Sequence, residues 1–76
     1  MMTREAFLNS MDALLELPQG TLKGPEAINS FQKWDSLALI SFIALADSNN
    51  HVSLSARQIM RCMTVSELLS VAKVEP

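Results

Sequence analysis

A chain of 76 residues, 49% hydrophobic and with a single cysteine, is sized for one domain, residues 1–76, whose core must hold without an internal disulfide. A net charge of −2 with no cluster of Lys or Arg leaves little electrostatic footprint for nucleic acid. The most apolar run, Leu37 to Ala46, is about half the roughly 20 residues that span a bilayer, and no charged-then-apolar-then-small leader pattern is present; the expectation is a cytoplasmic chain with no stable membrane insertion.

Phe7, Met11, Leu14 and Leu15 recur at i, i+4, i+7 and i+8, which predicts an amphipathic helix from about Thr3 to Leu17. Arg4, Glu5, Asp12 and Glu16 are expected towards water, and Pro18 sets the end of the helix, because the residue before a proline disfavours helical geometry. From Pro18 to Asp35 runs a connection holding both glycines and two of the three prolines, longer than the roughly 2–8 residues usual between bundle neighbours. Leu22, Ile28, Phe31 and Trp34 are spaced along it as apolar anchors, with a helical turn expected within residues 27–31.

Trp34-Asp35-Ser36-Leu37 ends that connection. Asp35 is a preferred N-cap type, which places Ser36 at the first helical position with its hydroxyl not needed as the cap. A serine oxygen at the positive end of a helix dipole, among free backbone N–H groups, suits a bound phosphate. Helix two is expected from Ser36 to about Ser48, with Leu39, Phe42, Ile43 and Ala46 as its core stripe. Leu37, Ile40, Ser41, Ala44 and Ser48 then form a second face too apolar for idle surface.

Ser55-Ala-Arg-Gln58 and Thr64-Val-Ser-Glu67 both spell a capping box, with Leu54 and Ile59, then Met63 and Leu68, in staple positions. They predict a short third helix closing near Cys62 and a fourth with Val65, Leu68, Leu69 and Ala72 buried. No stretch alternates long enough for a strand. The expected fold is all-α, a small four-helix bundle of three main helices and a short third one, with a long loop between helices one and two.

Other groupings carry less. Ser36, Asp47 and His51 match a hydrolase triad by type alone, without an oxyanion hole or pocket to serve them. Cys62 reads as a small core residue, and one His with one Cys furnishes no tetrahedral metal site. Arg57 and Arg61, at i and i+4, read as a solvated face.

At Asp35-Ser36-Leu37 the chain resembles the acyl carrier proteins, whose Asp-Ser-Leu motif opens the second helix and carries 4′-phosphopantetheine on the serine. The likeness extends through Leu17-Pro18 at the end of helix one, the long loop, Leu54, the short helix from Ser55 to Cys62, and Thr64-Val65 opening the fourth. It implies a non-catalytic carrier, a monomer, modified on Ser36 by a phosphopantetheinyl transferase. Such a carrier passes acyl thioesters between the acyl-loading, acyl-transferring or condensing enzymes of fatty-acid, polyketide or related specialised biosynthesis. Docking would use the surface beside Ser36, namely Asp35, Leu37, Ile40, Ser41, Ala44 and Asp47.

The alternative is an unmodified carrier-like docking or regulatory subunit acting through helix two. Where many members carry an aromatic after helix two this chain has Asn50, which predicts one core anchor fewer. Their recognition helix is strongly acidic, whereas this one offers Asp47, with Asp35 at its start. Few charges on that face predict docking with little dependence on salt.

Overall fold

The computed structural model describes residues 3–74. They form four α-helices, α1 (Arg4–Leu14), α2 (Ser36–Asn50), α3 (Ala56–Met60) and α4 (Val65–Val71), and one 3₁₀ turn, Ile28–Ser30, with no strand among them. α1 packs on α2, α2 on α3 and α3 on α4.

α1 starts where Thr3 Oγ1 accepts from the Ala6 N–H at 3.1 Å. Its stripe is as patterned, with Phe7, Met11 and Leu15 essentially excluded from water. The helix stops at Leu14, three residues before the expected Leu17. Glu16 adopts left-handed geometry (φ 58°), the Glu16 N–H donates to the Ala13 carbonyl and the Leu17 N–H to the Asp12 carbonyl. These bonds satisfy carbonyls the helix end would otherwise leave open, a Schellman closure that acts before Pro18 is reached. α4 ends the same way: Lys73 has φ 62°, with Lys73 N–H bonded to the Ser70 carbonyl and Val74 N–H to the Leu69 carbonyl.

α2 runs to Asn50, two residues beyond the expected end, and His51 closes it in left-handed geometry with its N–H on the Asp47 carbonyl at 3.1 Å. The buried stripe of α2 is Ala38, Phe42, Ala46 and Asn50, at successive i+4 positions. Leu39 and Ile43, expected at its centre, are half-buried flanks. Phe42 meets the edges of Phe7 (centroids 5.7 Å apart) and Trp34 (6.4 Å) at steep angles, the favoured arrangement for aromatic pairs.

Asn50 fills the position of the missing anchor. It is buried, and its Nδ2 donates to the Ala72 carbonyl at 2.9 Å, tying the end of α2 to that of α4. A hydrogen bond to an open helix-terminal carbonyl thus stands where the apolar anchor is missing.

The connection between α1 and α2 is held largely by backbone hydrogen bonds. Asp12, expected towards water, is 1% exposed. Its carboxylate accepts from the Gly20 N–H at 2.8 Å and the Leu22 N–H at 3.0 Å, which fixes the start of the connection against α1. Further along, Glu26 accepts from the Lys23 and Gly24 N–H groups, both at 2.8 Å. Ala27 and Thr64 form an isolated antiparallel bridge, with the Ile28 N–H donating to the Met63 carbonyl. The Val65 and Ser66 N–H groups, which open α4, donate to the Glu26 and Gly24 carbonyls at 3.0 and 2.8 Å. First-turn donors of α4 are thus satisfied by the loop. Leu22 and Ile28 are buried anchors; Phe31 and Trp34 are half-buried.

Both capping boxes form, at Ser55 with Gln58 and at Thr64 with Glu67. α3 is shorter than expected, ending at Met60. Leu54 and Ile59 are buried as a staple requires, but Met63 is 64% exposed and does not staple Leu68. The Met63 backbone is engaged instead, its carbonyl with Ile28 and its N–H with Glu67 Oε1.

Candidate functional site: the start of α2

Asp35 is extended (φ −129°, ψ −169°) and its Oδ1 accepts from the Ala38 N–H at 2.9 Å, while its carbonyl accepts from the Leu39 N–H. That makes Asp35 the N-cap and Ser36 the first residue of α2. With the cap supplied by its neighbour, the exposed Ser36 hydroxyl bonds to no described residue. The N–H groups of Ser36 and Leu37 likewise find no acceptor among the described residues. An oxygen nucleophile therefore stands beside two free donors at the positive end of a 15-residue helix.

Down α2 from this point the expected second face is exposed. Leu37 and Ile40 are 72% and 60% accessible, and Ser41, Ala44 and Asp47 lie open beside them. At the other side of the junction a groove of about 310 Å³ is lined by Leu14, Glu16, Lys33, Leu37, Ala38 and Ser41. Lys33 pairs with Glu16 across 3.4 Å in its lining, so this groove carries both signs of charge. All six expected docking residues, Asp35 included, share this exposed end and flank of α2.

Ser36 and His51 do not meet. One opens α2 and the other closes it, about 22 Å apart along the axis at the α-helical rise, so the triad combination is broken by the helix itself. Cys62 is buried under α3 with its Sγ 3.5 Å from the Gln58 carbonyl, and burial, aided by the charge of Glu67, raises its thiol above the usual range. It is a poor nucleophile there.

Glu67 is held below the ordinary glutamate range by the Met63 and Thr64 N–H groups and the Thr64 hydroxyl, against a smaller opposing effect of burial. For Glu26, burial pushes the carboxyl up but is outweighed by the Gly24, Lys23 and Glu26 N–H groups and the charge of Lys23, which leave it lowered. Neither carboxylate is near the Ser36 end of α2; both are spent on loop and helix-start backbone.

Asp12, which holds the connection, and Lys33, which lines the groove beside Asp35, escaped the sequence pattern. Asp12 bonds to residues eight and ten positions away, and Lys33 to a residue seventeen positions away, separations at which no helical period operates. No described helix is long and apolar enough to cross a membrane. Comparison of the chain with models of protein families, with curated proteins and with solved structures gives no match.

Proposed function

We propose that the chain is an acyl carrier protein, in which Ser36 bears 4′-phosphopantetheine and α2 presents the tethered cargo to successive enzymes. The observation that carries this reading is the division of labour at the start of α2: Asp35 serves as the cap, which leaves the exposed Ser36 oxygen unbonded at the positive end of the helix. When bound, the phosphopantetheine arm supplies a terminal thiol that holds an acyl group as a thioester. Ser36 gives its hydroxyl oxygen to the phosphodiester, and the free N–H groups of Ser36 and Leu37 favour the phosphate charge that results. The chain itself is not a catalyst on this reading. It raises the local concentration of the cargo at each docked enzyme.

Asp35, Leu37, Ile40, Ser41, Ala44 and Asp47 are the docking surface for the phosphopantetheinyl transferase and for acyl-loading, acyl-transferring or condensing enzymes. The four helices then act as a small cytoplasmic, monomeric bundle whose long first connection is bonded to the start of α4. Fatty-acid, polyketide and related specialised pathways all use such a carrier.

The test is to incubate the chain with coenzyme A and a broad-specificity phosphopantetheinyl transferase and take an intact mass. The expected result is a gain of one phosphopantetheine group, absent in Ser36→Ala. No gain with several transferases overturns the reading. The exposure of Leu37 and Ile40 would then favour an unmodified docking or regulatory subunit acting through α2.

A further inference from the structure

α3 turns one side into the core and leaves the other without a partner. Of residues 56–63 only Ile59 and Cys62 are buried. Arg57 and Arg61, one helical turn apart, are exposed on the opposite side with Met60 beside them, and Met60 is 75% accessible, the most exposed of the large apolar residues in the described chain. Met63, two residues beyond Arg61, is 64% accessible.

Neither arginine has a carboxylate within 4.0 Å among the described residues; the ion pair found there, Lys33 with Glu16, lies elsewhere. Five of the eight acids are committed to the fold. Asp12, Glu26, Asp35 and Glu67 each accept from backbone N–H groups, and Glu16 is paired. Glu67 lines the same groove as Arg61, but its Oε1 receives the Met63 and Thr64 N–H groups. In a chain of net charge −2, α3 therefore offers two guanidinium groups with no ion-pair partner among the described residues, beside a flexible, polarizable apolar side chain.

We propose that this face of α3, Arg57 and Arg61 flanking Met60, docks a protein whose surface presents carboxylates around an apolar side chain. Guanidinium groups match carboxylates bidentately, and a methionine adapts to the apolar contact between them. Two cations give only marginal attraction to an anionic bilayer, and the net negative charge of the chain opposes it, so a protein surface is the better match. The same argument holds against nucleic acid. The surface works whether or not Ser36 is modified. It differs from the face of α2 in depending on charge.

The probe is a synthetic amphipathic helical peptide with leucines on one side flanked by glutamates, titrated into the isotopically labelled Ser36→Ala full chain, with a lysine-flanked counterpart as control. Use of Ser36→Ala separates the outcome from that of the modification test. The expected result is that amide shifts concentrate at residues 57–63, and that affinity falls several-fold between about 0.01 and 0.3 M salt as screening sets in. In Arg57→Glu with Arg61→Glu, the glutamate peptide loses about tenfold or more in affinity and the lysine peptide gains. Both side chains are exposed, and Arg57→Gln with Arg61→Gln supplies a milder pair should charge reversal disturb α3. Equal response to both peptides, or shifts gathered on α2 instead, overturns the proposal. So does binding of the chain to phosphatidylserine vesicles while the glutamate peptide leaves α3 unshifted.

Discussion

Asp12→Ala removes the acceptor on which the connection after α1 depends. The carboxylate takes two N–H groups, one buried at Leu22 and one part-buried at Gly20. A hydrogen bond to a charged group contributes about 1.5–3 kcal/mol, and a buried donor left unsatisfied costs about 1–3 kcal/mol. Water can reach Gly20 but not Leu22, whose side chain is 2% exposed, so the Leu22 bond dominates. Removal also relieves the cost of keeping a carboxylate out of water, which holds the expected loss to about 2–4 kcal/mol. A domain of this length has about 4–11 kcal/mol in total at typical values per residue. The melting temperature should accordingly fall by about 10–25 °C. Urea unfolding followed by circular dichroism gives the free energy, and native-state hydrogen exchange locates it, with the Gly20 and Leu22 amides accelerated beyond the rest. Asp12→Asn keeps one acceptor oxygen and should fall between Asp12→Ala and the unaltered chain. A loss below about 0.5 kcal/mol in Asp12→Ala, the range of ordinary surface substitutions, would refute the reasoning.

Gly24→Ala should destabilise by about 1–3 kcal/mol, because Gly24 has φ 130° and an added Cβ would press on the Arg4 and Ser66 side chains; an unchanged melting temperature would contradict it. Lys73→Gly should stabilise by about 0.5–1 kcal/mol in the same urea assay, since Lys73 holds φ 62° to close α4, and a lower midpoint would count against that closure. Glu26 and Glu67 have folded values below the ordinary 4.5, so the stability they confer is present above pH 4.5 and is lost as pH falls through their lowered values. Urea midpoints should drop below pH 4.5, and Glu26→Gln with Glu67→Gln should flatten that part of the curve; an identical slope in the double variant would remove these two groups from the account.

Helix starts were legible because they are written locally. Thr3, Asp35, Ser55 and Thr64 each cap the helix that follows, and both capping boxes close with the partner three residues on. The ends of α1 and α2 were not, because Glu16 and His51 stop their helices in left-handed geometry without glycine, the residue that normally announces it. The stripe of α1 could be read from its period, whereas α2 is apolar on nearly every side: Phe42 and Ala46 were placed in its core, but the period could not choose Ala38 and Asn50 over Leu39 and Ile43 as their companions. Asp12 was misplaced and the role of Asn50 not foreseen for one reason: a polar side chain is buried when its partner is a backbone group brought by the fold, here Leu22 and Ala72, and composition holds no trace of that meeting. Ser36 was legible, since its position depends on Asp35 alone.

The same economy of partners shapes the surface. Four carboxylates that could have made the surface more acidic accept from backbone donors instead: Asp12 on α1, Glu26 in the loop, and Asp35 and Glu67 at helix starts. A loop of this length needs such acceptors, because its N–H groups have no regular ladder to join. What remains outward is Leu37, Ile40, small residues and Asp47 along α2, and Arg57, Met60 and Arg61 on α3. A partner covering α2 alone meets an apolar strip that salt hardly affects, and one reaching α3 meets charge that salt weakens. Salt dependence measured with a bound protein therefore reports how far along the molecule it extends, and the extent is set by which acids the fold has already used.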